Sequence, residues 1–314
     1  MSNTVTELQE VDGAEVTALL DNSLDLLLPS TETAKRTPFA ARDTSLIAEH
    51  GVSMLVQVTK GSKKASFLYD TGLSRDGLVH NIDVLETKIE EIQAIVLSHG
   101  HADHTMGLLG LVRRRGRKSL PLILHPDVFL RRKVVPAAGP EIDLPPPNMA
   151  DLLAEGIEVV EERESSLLME GMALVTGEVP RTTKFEKGFP IHYAEVDGQW
   201  RPDPLIHDDQ AIVINIREKG LVILTGCGHS GIINIVRRAQ DITGVDKVYA
   251  VMGGFHLTGG LFEPIIPLTV RALKRINPRV VVPWHCTGWK ATHRIARSMP
   301  ESFIPNSVGT RYVL

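Results

Sequence analysis

The chain has only two cysteines in 314 residues, Cys227 and Cys286, and no framework of evenly scattered pairs. A disulfide-stapled fold is therefore excluded, and a thiolate metal ligand is at least as good a reading of either residue. Long apolar runs are also missing. Stretches such as Leu221-Val222-Ile223-Leu224 and Val280-Val281-Val282 fall far short of the roughly 20 residues a membrane helix needs, so no membrane partner is expected. The opening MSNTVTELQEVDGAE lacks the basic start and apolar core of an export signal, and the expectation is a cytoplasmic protein. There is no basic excess either. The 34 Lys and Arg against 38 Asp and Glu leave a formal charge of -4, which provides no general attraction to nucleic acid. A composition of 43% hydrophobic and 23% charged residues excludes a disordered chain.

What is present reads as an α/β protein. Residues 1–14 are expected to be a flexible N-terminal segment, and residues 15–314 a single domain. Glu15 to Leu20 reads as a first strand, and Ser30 to Arg42 as a loop. Ser53 to Val58 and Ala65 to Asp70 read as paired strands across the turn Lys60-Gly61-Ser62-Lys63. Apolar residues at helical spacing predict a helix from Val79 to Ile92, followed by the buried strand Ala94 to Leu97. Met106 to Arg115 suits a helix whose basic end favours the dipole. Prolines from Val134 to Asn148 predict loops and short strands. In the second half, strands Ala211 to Asn215, Leu221 to Leu224, Val248 to Met252 and Val280 to Val282 alternate with helices from Ile232 and Pro267. Three of these strands end in Gly- or His-bearing motifs, so polar chemistry gathers at one edge of a buried sheet.

The richest motif is Ser98-His99-Gly100-His101-Ala102-Asp103-His104. Imidazoles and a carboxylate within six residues are the donors that suit zinc, iron or manganese. In an extended loop His99 and His101 face one side, while Asp103 and His104 follow from the next turn and reach a second ion nearby. Thr225-Gly226-Cys227-Gly228-His229 and Trp284-His285-Cys286 supply further donors at later strand ends. Cys286 is expected to be structural, because adjacent residues on an extended segment point to opposite sides. His256 follows Gly253-Gly254, where missing side chains would admit a ligand. His50, His80, His125, His192 and His293 carry no such context.

His99-x-His101-x-Asp103-His104 after a strand resembles the signature of the metallo-β-lactamase superfamily. Asp70-Thr71-Gly72 is similar to its early turn, whose aspartate supports the metal loop. The resemblance implies an αβ/βα four-layer sandwich and a dinuclear centre, with Cys227 where the superfamily usually has a bridging aspartate and His285 as the last metal-binding histidine. The third donor of the first metal stays open between His207, Asp208 and His229. A narrower resemblance is to the dihydropterin ribofuranosylaminobenzene-phosphate synthase-like subgroup. It is carried by Asp21-Asn22, Glu49-His50-Gly51, Thr176 to Arg181, Asp208 to Ala211, Gly226 to Ile232, Gly253 to Leu257 and His285 to Gly288.

The resemblance implies a metal-dependent hydrolase or transferase acting on a small phosphorylated or cyclic-ester substrate, through hydroxide held by two divalent ions, zinc first, with iron or manganese as alternatives. The expected metal ligands are His99, His101, Asp103, His104, Cys227, His229, His285 and Asp208. Asp103 and His256 are the expected catalytic groups, with Arg181 and Lys184 as substrate-binding cations. The alternatives are a nucleic-acid phosphodiesterase and a metal-binding regulatory protein without turnover. Homo-oligomerisation is left open.

Overall fold

The computed structural model describes residues 7–38, 45–116 and 119–314. Two large mixed sheets lie face to face. Among the described residues the first runs in the order Ile157–Glu161, Leu120–Leu124, Ile95–Val96, Lys63–Tyr69, Ser53–Lys60, Gly13–Leu20, Arg311–Val313 and Ala34–Lys35. The second runs Ser166–Leu168, Ala173–Val175, Ala211–Ile216, Gly220–Thr225, Val248–Gly254 and Val280–Trp284, with Glu10–Val11 paired in parallel to Ala211–Ile216.

The residue pattern explains the layering. Every residue of Gly220–Thr225 is buried, as expected for a strand covered on both faces. Its alternate residues serve different cores. Val222 and Leu224 meet Val16, Val56, Phe67 and Tyr69 between the sheets, while Leu221 and Ile223 pack outward among Ile235, Val236, Leu273 and Ile295. Those outward partners lie on the helices Ile232–Thr243, Ile266–Ile276 and Gly288–Ser298. The first sheet does the same with Leu55, Leu68, Ile95 and Leu122 against Leu78, Ile82, Leu108 and Leu111, from the helices Gly77–Val84 and Leu108–Arg115. The result is the expected αβ/βα four-layer sandwich.

The hairpin Ser53–Lys60 to Lys63–Tyr69 closes with Lys60 opposite Lys63, and Gly61 takes the left-handed φ of 58° that a two-residue turn requires. Several boundaries differ from expectation. Strands occupy Glu10–Val11 and Gly13–Ala14, inside the segment read as flexible; residues 1–6 of that segment lie outside the described residues, as do 39–42 of the Ser30 to Arg42 loop. Within that loop, Ala34–Lys35 pairs with Arg311–Val313. The helix read from Val79 to Ile92 stops at Val84, because Glu86 turns left-handed at φ 53° and the Leu85 and Thr87 amides close back on Asn81 and Ile82; a left-handed residue ends a helix in this way. The proline-rich middle forms a small antiparallel sheet from Arg132–Val134, Ile142–Leu144, His192–Val196 and Gln199–Pro202. No helix among the described residues is long and apolar enough to cross a membrane.

The parallel register of Lys63–Tyr69 with Ile95–Val96, and of Gly220–Thr225 with Val248–Gly254 and Val280–Trp284, brings the ends of five strands to one edge. The loops after them carry the donors.

Candidate metal centre

Asp70 ends its strand with φ 62° and is fully buried. Its carboxylate accepts from the Ser98 amide at 2.7 Å and the Ser98 hydroxyl at 2.7 Å, and it lies 2.7 Å from His104 Nδ1. A carboxylate in that position accepts a hydrogen bond from the Nδ1–H, so Nε2 is the His104 atom turned towards the other donors. That atom faces Cys227 Sγ at 3.2 Å. Because the Ser98 hydroxyl proton is committed to Asp70, Ser98 Oγ accepts from His99 Nδ1 at 2.9 Å, and His99 Nε2 is the free atom. His101 is fixed from the other side. His192 donates through Nδ1 to the Asp203 carbonyl at 2.9 Å, which leaves its Nε2 to accept from His101 Nε2, 3.0 Å away. His101 Nδ1 is thereby free.

These lone pairs converge. His229 Nε2 is 3.2 Å from His99 Nε2 and 3.1 Å from His101 Nδ1. Three ring nitrogens so close, two of them without a proton, suit a shared cation. A second set forms beside it, since ligand atoms of Asp103, His104, Cys227 and His285 lie within 4.8 Å of one another. His285 Nε2 is 3.2 Å from Asp103 Oδ2 without the alignment of a hydrogen bond, and neither of its ring nitrogens has a hydrogen-bond partner. Buried orphans of this kind call for an explanation, and a cation between the donors provides one. Cys227 also lies within 4.8 Å of the His99 and His229 donors, so its sulfur borders both sets. The donors present therefore fit the metal that the resemblance implies.

Electrostatics favour this role for three of the histidines, whereas His104 and Cys227 would each have to give up a proton to a cation. Burial, followed by neighbouring imidazoles, pushes His99, His101 and His229 well below the ordinary histidine value, which keeps them neutral donors. Burial opposes charge on His104 too, but the Asp103 and Asp70 carboxylates outweigh it and raise this imidazole to about 9. Burial works against the Asp103 carboxylate; His104 and His285 overcome it and hold the group well below the usual carboxylate range. Burial pushes the Cys227 thiol up.

The loops are held by matched partners. The Asp21 carboxylate accepts the His285 amide at 3.0 Å and Asn306 Nδ2 at 2.8 Å, while Asn22 Nδ2 donates to the His285 carbonyl at 3.3 Å; together they hold His285 at a left-handed φ of 49°. Asp209 accepts the His229 and Ser230 amides at 3.0 and 2.8 Å. Gly226 has no room for a side chain: a Cβ there would come within 2.1 Å of Ser98 Oγ and 2.7 Å of Asp70 Oδ2.

Of the expected ligands, His99, His101, Asp103, His104, Cys227, His229 and His285 are brought together. Asp208 is not. Its carboxylate is held by the two terminal Arg132 guanidinium nitrogens at 2.9 and 2.6 Å and by the Gly100 amide at 2.8 Å, so it braces the histidine loop from behind. His207 is half exposed and faces Glu178 at 3.5 Å. Of the three, His229 is the one whose ring nitrogen lies beside His99 and His101. Neither expected substrate cation reaches the centre: the Arg181 guanidinium donates to the Val179 and Leu205 carbonyls, and Lys184 is exposed. His256 lies with its ring 4.1 Å from that of His229.

Around Cys286 residues 285–287 form a tight turn and not the extended segment that was expected. The Cys286 sulfur consequently lies within 4.8 Å of donors on Cys227 and His256. His192, Arg132 and His50 were missed. His50 Nε2 stands 3.7 Å from Asp103 Oδ2, and its place in Glu49-His50-Gly51 was a signal; His192 and Arg132 come from the small middle sheet and had none.

The sequence profile of the metallo-beta-lactamase superfamily matches residues 47–238. The 7,8-dihydropterin-6-methyl-4-(beta-D-ribofuranosyl)-aminobenzene-5'-phosphate synthase of Methanocaldococcus jannaschii is 33% identical over 272 residues, 84% of this chain and 90% of its own. An uncharacterised protein of the same organism is 30% identical over 83% of this chain and 92% of its own. A solved metal-dependent hydrolase of the beta-lactamase superfamily shares the fold, with a TM-score of 0.73 over 95% of this chain and 98% of its own, at 24% identity. By its sequence match and its fold, the chain belongs to the metallo-beta-lactamase superfamily, in the subgroup of the dihydropterin ribofuranosylaminobenzene-phosphate synthase.

Proposed function

We propose that the protein is a two-metal hydrolase of small ester or phosphoester substrates. The observation that carries this reading is the pair of adjoining donor sets, His99, His101 and His229 beside Asp103, His104 and His285, with Cys227 between them. Divalent cations bound there would polarise a carbonyl or phosphoryl oxygen and make a nucleophile available at neutral pH. Asp103, ionised and 3.2 Å from His285, supplies negative charge and a hydrogen-bond acceptor to the second set. His256, next to His229, is placed to hold the proton that a leaving group needs. Asp70 and His192 keep the ligand lone pairs aimed inward.

Metal analysis joined to a substrate screen tests the proposal. The as-purified protein should carry two divalent ions, most readily zinc, and His229→Ala should lose one of them. Asp103→Ala should lose turnover on the ester, lactone or phosphodiester substrate found. Equal metal content and equal turnover in wild type and Asp103→Ala would overturn the reading. Group transfer is the second reading, favoured by the 33% identity with a synthase; it predicts product only when a second organic substrate is added.

A further inference from the structure

The two cysteines of the chain, Cys227 and Cys286, are both buried and both free. They follow different strands, Gly220–Thr225 and Val280–Trp284, yet their sulfurs lie within 4.8 Å of each other. The Cys286 thiol donates to the Cys227 carbonyl at 3.2 Å. Gly254, on the strand between them, permits the approach: a Cβ there would come within 2.7 Å of Cys286 Sγ and 3.1 Å of Cys227 Cα. A disulfide places its sulfurs about 2.0 Å apart, so the pair has less than roughly 3 Å left to close, a distance that rotation about Cα–Cβ covers. The backbone beside each cysteine is pinned, which leaves the movement to the side chains. Asp21 accepts the His285 amide at 3.0 Å, and Asp209 accepts the His229 and Ser230 amides at 3.0 and 2.8 Å.

A small solute has a way in. A cavity of about 320 Å3 has His229 and His256 in its lining, and the His256 side chain hydrogen-bonds Cys286. The oxidant that suits so enclosed a pair is hydrogen peroxide, not the disulfide of another protein. Closure would also reach the metal centre, because Cys227 is the one residue common to both donor sets among the described residues. Metal is held by a thiolate; a disulfide sulfur carries no charge and is a poor donor.

We propose that Cys227 and Cys286 are a peroxide-oxidisable pair whose closure to a disulfide releases metal from the centre. Cys286, the thiol bonded to cavity-lining His256, attacks the peroxide: its S–O bond forms as the O–O bond breaks, and the departing hydroxide leaves as water with the thiol proton. The Cys227 sulfur then displaces the new hydroxyl. That step forms S–S, breaks S–O and sends the second thiol proton out in a second water. Two electrons pass from the sulfurs to the peroxide. The bridge rests on the two sulfurs alone; the release of metal rests on the two-metal reading above.

The test treats the as-purified metalloprotein with hydrogen peroxide, alkylates it under denaturing conditions for mass spectrometry, and follows metal release with a chromogenic chelator. Wild type should lose both alkylatable thiols, gain a cross-link between the peptides carrying Cys227 and Cys286, and give up metal. Dithiothreitol with readded metal should reverse all of this. Cys286→Ser should hold the same metal before treatment, and its Cys227 should end as a sulfenic or sulfinic acid instead of a bridge. Cys286→Ala should behave alike, which separates loss of the thiol from a disturbed turn. Two thiols still free after treatment, oxygen adducts on separate cysteines, or a cross-link only between different chains overturns the proposal. A bridge with all metal retained overturns the release, and with it the place of Cys227 between the donor sets. A bridge with metal release in a protein that hydrolyses no ester overturns only the hydrolytic reading.

Discussion

His192 reaches the donor set through one hydrogen bond to His101, yet that bond selects which His101 nitrogen faces the other ligands. Removing such a partner typically costs 10–100-fold in metal affinity. His192→Ala should therefore weaken one of the two bound ions by that order, read as chelator competition, while His192→Gln, which can still accept from His101, should recover part of it. An unchanged affinity would show that His101 is oriented without help. Arg132 is a different case. It and Asp208 form a fully buried pair, and removing one member strands the other charge. Arg132→Met should cost about 3–5 kcal/mol in urea unfolding. The division between what could and could not be read follows from distance along the chain. His99 to His104 was legible because the donors are contiguous. Asp208 looked equivalent to His229 because a carboxylate at a strand entrance is a good ligand in principle; only the approach of Arg132 from the middle sheet takes it out of contention. The turn at Cys286 was not legible, because the strand before it carries no sign that it ends at Trp284.

Helix Ile232–Thr243 begins after Gly231 with no capping side chain of its own. Glu186, from a distant loop, accepts the Ile233 and Asn234 amides at 2.9 and 3.0 Å instead. Burial raises the Glu186 carboxyl above its ordinary value, so the folded state binds this proton more tightly than the unfolded chain. The associated stability is fully present below the unfolded value and is lost as pH rises through the folded one. Glu186→Gln should flatten that part of the stability profile, measured by denaturant titration at a series of pH values from the ordinary carboxyl value upward. Strands and helices of this half were legible because each strand is buried on both faces and each helix is amphipathic. The helix end at Val84 was not, since a left-handed Glu86 leaves no compositional trace. The small middle sheet was equally hidden, its short strands being interrupted by prolines.

Three imidazoles packed around that of His99 at the sandwich edge, His101, His104 and His229, give the whole molecule a stake in its cations. An ion at a thousand times its Kd adds about 4 kcal/mol. Stripping metal with a chelator should lower Tm by on the order of 10 °C, reversed by readdition; a Tm unchanged on stripping would separate stability from loading. The α/β class was legible from alternating strands and helices and the sandwich from the resemblance carried by the histidine motif, but the closure of its first sheet was not. Arg311–Val313 lies between Gly13–Leu20 and Ala34–Lys35, so residues nearly 300 positions apart must meet before that sheet is complete. Contacts of such long range slow folding. On the ribosome, the strand beginning at Gly13 would wait with one edge unpaired until translation had reached Val313, an interval of some tens of seconds at ordinary elongation rates, during which that edge is the part of the nascent chain most in need of a chaperone.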